Sequence, residues 1–337
     1  MSWFSRRPTG ATPPPPSPPD PPRADAPAGA LTRDHVVWAY RLLLDRDPET
    51  EDAILPKLRG CPTTRQLRAE LMNSAEFREK NPDYAHTNAP TVVIRPFESG
   101  VRLCVDLSDH VIGLPIVRGE YEHEALQFVQ RSLRPGQHAL DIGAHIGFFA
   151  MHMAAVVGPA GSVTAFEPFP RNADLLERSI AENRFEAIVT LHRAAVAATP
   201  GTARLAFARE TLNTGGAFLV PQDGTAPTDL TTDAVPTVAL DQLRLPRPVA
   251  FVKMDVEGAE PQVIAGARQV LASDRPVILS EIHVAQLASV SHVTPAEFIA
   301  AVESLGYACR HLTAGRPGDR VSPTSLPPVS SVVFVPV

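Results

Sequence analysis

Cysteine is scarce in this chain: three thiols in 337 residues, Cys61, Cys104 and Cys309, with no short spacing between any two. That argues against a disulfide framework and a cysteine-rich zinc site, and it suits a reducing compartment. A basic surplus is missing as well. Lys and Arg number 31 against 37 Asp and Glu, a net charge of −6, so the footprint of a nucleic-acid partner is absent. Long apolar runs are lacking too. The longest, around Ile146 to Val157, contains His152 and stops at Gly158-Pro159, too short to cross a bilayer. The opening MSWFSRR has no apolar stretch behind its charges, which argues against a secretory signal. A cytoplasmic protein without an integral membrane segment is expected.

Proline, by contrast, is abundant, at 35 residues, and it crowds residues 8–30. Such a run lacks the donors and apolar side chains of a core, so residues 1–30 are expected to form an extended, disordered tail. A docking ligand for a proline-binding domain is the alternative use of that run. Order is expected from residue 31. Thr32 caps a helix starting at Arg33, on which Val36, Val37, Tyr40, Leu43 and Leu44 share a face. Pro48, Pro56 and Pro62 punctuate the next stretch. Thr63 or Thr64 caps a helix through Leu67, Leu71 and Met72, and Ser74 caps a short one carrying Phe77. Together these make a small helical accessory domain over residues 31–85.

From residue 86 the texture changes. A β-rich lead-in runs to residue 120, with a hairpin through Ser99-Gly100. Predicted strands at 138–142, 162–166, 189–192, 251–254, 277–280, 307–311 and 331–335 then alternate with helices at 148–157, 172–183, 260–271 and 295–305. Residues 202–240 hold β-like pieces and a polar loop. The alternation implies a mostly parallel sheet with helices on both faces, over residues 86–337. Ligands of such sheets bind outside the carboxyl ends of the strands.

Between the first core strand and its helix the sequence reads DIGAHIGFF, from Asp141 to Phe149. Gly143 permits a tight turn and close backbone approach, and Gly147 lets the helix start pack closely on the strand. A dinucleotide fingerprint needs Gly-x-Gly-x-x-Gly, whereas positions 143, 145 and 148 are Gly, His and Phe. Asp141 would repel a pyrophosphate but accept from the ammonium of an amino-acid ligand. Glu167, ending the next strand in FEP, can accept from both ribose hydroxyls. Asp141, Gly143, His145, Gly147 and Glu167 therefore suit a ligand with an adenosine end, an amino-acid end and no phosphate.

A second dense motif runs from Phe251 to Pro261 as FVKMDVEGAEP. Lys253, Asp255, Glu257 and Glu260 crowd one strand end. Favourable placement of Glu257 and Glu260 at a helix N-terminus is the plain explanation for those two. The neighbouring strand ends in Glu281 and His283, which alternation places on one face. Asp255 and His283 are candidate bases, with Lys253 and Glu257 orienting them. His283 serves equally well as a structural histidine. Asp255, Glu257 and Glu281 also offer hard oxygen ligands that would suit Mg²⁺, although no metal is assigned. Residues 213–216, Asn-Thr-Gly-Gly, are a turn or a border of the acceptor pocket.

DIGAHIGFF, FEP at 166–168, VKMDVEGAE at 252–260 and LSEIH at 279–283, with GEYE at 119–122 and Leu240-Asp241, resemble the FkbM family of methyltransferases over roughly residues 90–337. The resemblance implies a class I methyltransferase (Rossmann-like) fold: a mostly parallel, seven-stranded α/β sheet, here preceded by a small all-α module. It implies S-adenosyl-L-methionine as cofactor, Glu122 closing over its methionine end, and O-methylation of a sugar, glycan, lipid-linked or natural-product hydroxyl. His145 stands where asparagine is more usual in the family. AYRLLLDRDP (39–48) and ELMNSAEFR (70–78) resemble a small domain of unknown function found beside methyltransferases, which implies a protein partner for the helical module. Two other classes compete: a catalytically silent scaffold acting through that module, and a nicotinamide oxidoreductase.

Overall fold

The computed structural model describes residues 31–61, 63–72, 74–81, 92–208, 214–221, 224 and 230–337. The proline-rich tail expected over residues 1–30 lies outside them. The chain divides into two compact units, residues 1–87 and 88–337.

In the first unit, α1 (Arg33–Leu44) starts at Thr32, whose side chain accepts from the His35 amide while the His35 ring accepts from the Thr32 amide, a reciprocal cap. Helix α2 (Glu51–Gly60) continues through Pro56. The three prolines hid this helix in the sequence, because an internal proline forgoes one backbone bond. Packing compensates: Ile54 is buried with Val36, Tyr40, Leu44, Leu67, Leu71 and Phe77 in one apolar cluster. Helices α3 (Thr64–Met72) and α4 (Ala75–Lys80) complete it, the latter capped by Ser74, which accepts from the Phe77 amide at 3.1 Å.

The second unit opens with the hairpin β1 (Val92–Pro96) and β2 (Arg102–Asp106), paired antiparallel. Strand β2 lies on the helix that carries Ser179, where the Cys104 amide donates to Ser179 Oγ at 2.9 Å. Two helices come next, α5 (Gly113–Arg118) and α6 (His123–Ser132). Alternating units then build the main sheet: β3 (His138–Ile142), α7 (Phe148–Val157), β4 (Ser162–Phe166), α8 (Pro170–Asn183) and β5 (Val189–His192). Helix α7 reads FFAMHMAAVV and is buried nearly all round, as its uninterrupted apolar surface requires. After an inserted segment come β10 (Val249–Met254), α9 (Glu260–Ala265), α10 (Arg268–Asp274), β11 (Val277–His283), α11 (Pro295–Glu303), β12 (Tyr307–Thr313), β13 (Arg316–Arg320) and β14 (Val329–Pro336).

The strand order is β13-β12-β14-β11-β10-β3-β4-β5, and β14 runs antiparallel to both neighbours. This is the mostly parallel sheet expected from the sequence, with β13 hydrogen-bonded to its edge as an eighth strand where seven were expected. Successive residues feed opposite cores: Phe251 packs on one face, Val252 on the other. The helix expected over residues 260–271 is two, broken at Gly266, where a Cβ would meet the Ala197 carbonyl oxygen at 2.1 Å. The β-like stretch near residues 202–240 resolves into a second sheet, β6 (Ala195–Val196), β7 (Gly201–Phe207), β8 (Phe218–Leu219) and β9 (Thr231–Val238), in the order β6-β9-β7-β8. Among the described residues no helix is long and apolar enough to cross a membrane.

Candidate active site

A cavity of about 390 Å³ opens at the carboxyl ends of β3, β4, β10 and β11, where the fold leaves loops free to diverge. Its glycine-loop end is held by backbone. Gly143, at φ +78°, donates its amide to the Phe166 carbonyl at 3.0 Å. A Cβ there would lie 1.9 Å from the carbonyl oxygen of Asp255, so this glycine is what lets the two dense sequence motifs meet. Gly147, at φ +91°, does not line the cavity. A Cβ on it would meet Leu176 Cδ1 of α8 at 2.4 Å, so it admits the neighbouring helix rather than the strand.

Glu167 lines the cavity and is 95% buried. Its Oε2 accepts from the His145 amide at 2.7 Å and its Oε1 from the Phe169 amide at 2.9 Å. Burial pushes this carboxyl up to about 7 against those two amides. Each oxygen keeps a lone pair for a ligand hydroxyl. Asp141 sits deeper. It is fully buried and does not line the cavity, and among the described residues neither carboxylate oxygen has a hydrogen-bond partner. Burial pushes it up to about 6, against the pull of Lys253 and of the Ala150 amide, which stops short of hydrogen-bond geometry.

The other end of the cavity is acidic. Lys253 is the register partner of Asp141 across the parallel β10–β3 pair. Its Nζ donates to Asp255 Oδ2 at 3.3 Å and to the Gly143 carbonyl at 3.4 Å, and lies 5.1 Å from the Phe149 ring centre. Burial opposes its charge, but Asp255 and Asp141 outweigh it and raise the ammonium above its ordinary range. Among the described residues it is the sole Lys or Arg lining the cavity, against Glu122, Glu167, Asp255, Glu257 and Glu281. Burial, then repulsion from Asp255, pushes Glu257 up to about 8 and Glu281 up to about 7. Burial also raises Glu122. Glu260 turns inward to accept from the Val256 amide at 3.1 Å, a local cap rather than a cavity group.

His283 is not brought to the cavity. Its Nδ1 accepts from the Gln286 amide at 3.3 Å, capping the helical turn after β11, while Glu281, two residues earlier, does line it. Among the described residues no group of three or more His, Cys, Asp and Glu has the geometry to hold a metal ion. Thr214, Gly215 and Gly216 line the cavity; Asn213 lies outside the described residues. Sequence reasoning missed Tyr121 and Asp109. Tyr121 lines the cavity beside Glu122, and Asp109 reaches it through Thr214. Eight described non-glycine residues have positive φ, and the three that line the cavity are Glu122, His145 and Glu257. Backbone strain of about 1 kcal/mol or more each persists where the surroundings enforce it.

The family model for the methyltransferase FkbM domain matches residues 141–309, from the buried aspartate of β3 to the middle of β12. The chain belongs to the FkbM methyltransferase family. A stretch of 86 residues is 34% identical to protein-L-isoaspartate O-methyltransferase of Caenorhabditis elegans, covering 26% of this chain and 37% of that one. The chain thus spans well under half the length of that relative. Among solved structures, methyltransferase FkbM from Methylobacillus flagellatus is 16% identical over 88% of this chain and 58% of that chain, with a TM-score of 0.39. TYW2 of M. jannaschii, in complex with AdoMet, is 14% identical over 74% and 89%, with a TM-score of 0.36.

FkbM membership brings S-adenosyl-L-methionine as the cofactor, and the residues present fit it. Glu167 has lone pairs to spare for a ribose, and Glu122 lines the same cavity with a carboxylate that suits an ammonium, whereas Asp141 lies off the cavity wall. The close approach at Gly143 keeps the loop free of side-chain bulk. The dinucleotide alternative fails on the same loop, where an acid precedes it and two of three glycines are missing.

Proposed function

We propose that this protein transfers the methyl group of S-adenosylmethionine to a hydroxyl of a sugar, glycan, lipid-linked or natural-product acceptor. One observation carries the reading: a single cavity joins the glycine loop and Glu167 to the carboxylates of Asp255, Glu257 and Glu281 around Lys253. When bound, the cofactor supplies an electrophilic methyl group on a sulfonium. Glu167 holds the ribose end and Glu122 the amino-acid end, with Asp141 acting from off the cavity wall through its charge alone, and the loop from Gly143 to Gly147 fixes the distance between them. Asp255 accepts the proton that the acceptor hydroxyl must lose. Lys253 keeps that carboxylate oriented and charge-balanced, and Glu257 and Glu281 border the acceptor. His283, which caps its turn instead, has no part in the chemistry.

The acid lining favours a neutral hydroxyl over a carboxylate or phosphate acceptor, because an anion there would face five carboxyl groups and one ammonium. The three buried free thiols suit a cytoplasmic setting, and the helical unit is read as the contact for a protein partner. Labelled cofactor offered to cellular glycan and lipid fractions tests the reaction. Label in an ether that survives alkali supports it. Label in an alkali-labile ester would redirect it to a carboxyl acceptor, and binding of cofactor without any transfer would favour the silent scaffold.

A further inference from the structure

His145 is a junction of three chain segments. Its amide donates to Glu167, and its ring Nε2 lies 2.7 Å from Thr214 Oγ1. Thr214 in turn donates its hydroxyl to Asp109 Oδ2 at 2.5 Å, and its amide donates to the same oxygen at 3.2 Å. Asp109 Oδ1 accepts from the amides of Val111 and Ile112, at 3.0 and 2.8 Å. Asp109 is 96% buried, and everything pointing at it is a donor, as an ionised carboxylate requires.

This chain of bonds leaves one solution. A hydroxyl has a single hydrogen, and Thr214 gives it to Asp109. The contact between Thr214 and His145 must then run the other way, with Nε2–H donating. A neutral imidazole with its proton on Nε2 has a bare lone pair on Nδ1. We propose that Asp109, acting through Thr214, fixes His145 as the Nε2–H tautomer, so that Nδ1 serves the cavity as an acceptor for a cofactor hydroxyl beside Glu167. Asp109 and Thr214 are positioning residues in this scheme. Burial also holds the ring neutral, lowering it to about 4. An asparagine at 145 would lack this arrangement, since its amide is not set by a proton position.

The assignment rests on the cofactor reading of the cavity, but its first test needs no ligand. In a long-range ¹⁵N–¹H spectrum of uniformly labelled protein, His145→Asn identifies the resonance among the 11 histidines. The ring is expected as Nε2–H. Thr214→Val is expected to abolish that preference and weaken S-adenosylhomocysteine binding about tenfold, one lost hydrogen bond to a buried polar group. Thr214→Ser restores both. Asp109→Asn, which can donate to Thr214 and reverse the chain, is expected to move the tautomer without unfolding the protein. An Nδ1–H ring in the wild type, or a tautomer indifferent to Thr214→Val, would overturn the assignment. A wild type with the Nε2–H ring and no affinity for S-adenosylhomocysteine would count for the tautomer and against the cofactor reading.

Discussion

At the glycine-loop end of the cavity, backbone amides meet side chains: Glu167 takes two, and Gly143 takes its place because nothing larger fits. At the opposite end, Glu122, Asp255, Glu257 and Glu281 face one another around one ammonium, and burial and mutual repulsion push Glu257 and Glu281 toward neutrality. The first end is rigid and spends its polar groups on shape. The second stores unfavourable charge that a bound cation or a proton relieves. On the proposed reading the ribose of the cofactor lies at the first end, and the second holds the proton chemistry, with Glu122 at the cofactor's amino-acid end.

The harshest way to break that contrast is to fill the rigid end. Gly143→Ala combines a left-handed backbone with a 1.9 Å approach to a carbonyl oxygen, and is expected to cost at least about 3 kcal/mol. Denaturant unfolding reads the loss, and cofactor binding should vanish with it. Next in size, Asp255→Asn is expected to lower turnover about 100-fold or more while stability changes little. Equal activity would remove Asp255 as the base.

The acid end makes a prediction in pH. A carboxyl whose folded pKa is raised holds its proton more tightly when folded. Its stabilising contribution is therefore complete below the ordinary value near 4.5 and is lost as pH rises through about 7 for Glu281 and about 8 for Glu257. Glu281→Gln should then raise the Tm at pH 8 by about 2 °C and leave it unchanged at pH 4. A larger gain at pH 4 would reverse the sign. Smallest of all, His283→Ala should leave kcat within about threefold and cost about 1 kcal/mol of stability, the worth of a cap.

The two ends also differ in how far the sequence exposes them. Features that the backbone imposes leave a residue-type signature: Gly143 before a helix, Pro170 and Pro295 at helix starts, and Thr32, Ser74 and Thr294 at caps. The main sheet was readable for this reason, from period and punctuation alone. Helix α2 was not, since Pro56 violates the rule that would have announced it, and tertiary burial of Ile54 overrides the cost. The inserted sheet was legible only as β-like pieces over residues 202–240, because strands as short as β6 and β8 carry two residues each. Contacts between distant segments leave no local trace. Asp109 and Thr214 lie 105 positions apart, and although Thr214 falls in the Asn-Thr-Gly-Gly turn, nothing in the sequence pairs it with Asp109. His283 is the converse case: its residue type allows a base or a structural histidine, and the bond that Nδ1 accepts from the Gln286 amide three residues on favours the structural reading.

The division of labour between the two ends is tested most directly by calorimetric titration of S-adenosylhomocysteine into three proteins. The wild type should bind it. Glu167→Gln should weaken binding at least about tenfold, because the amide cannot accept from both backbone donors and the ribose together. Asp255→Asn should bind within about threefold of wild type. Absence of binding by the wild type, or equal loss in both variants, would contradict the assignment of the glycine-loop end to the cofactor.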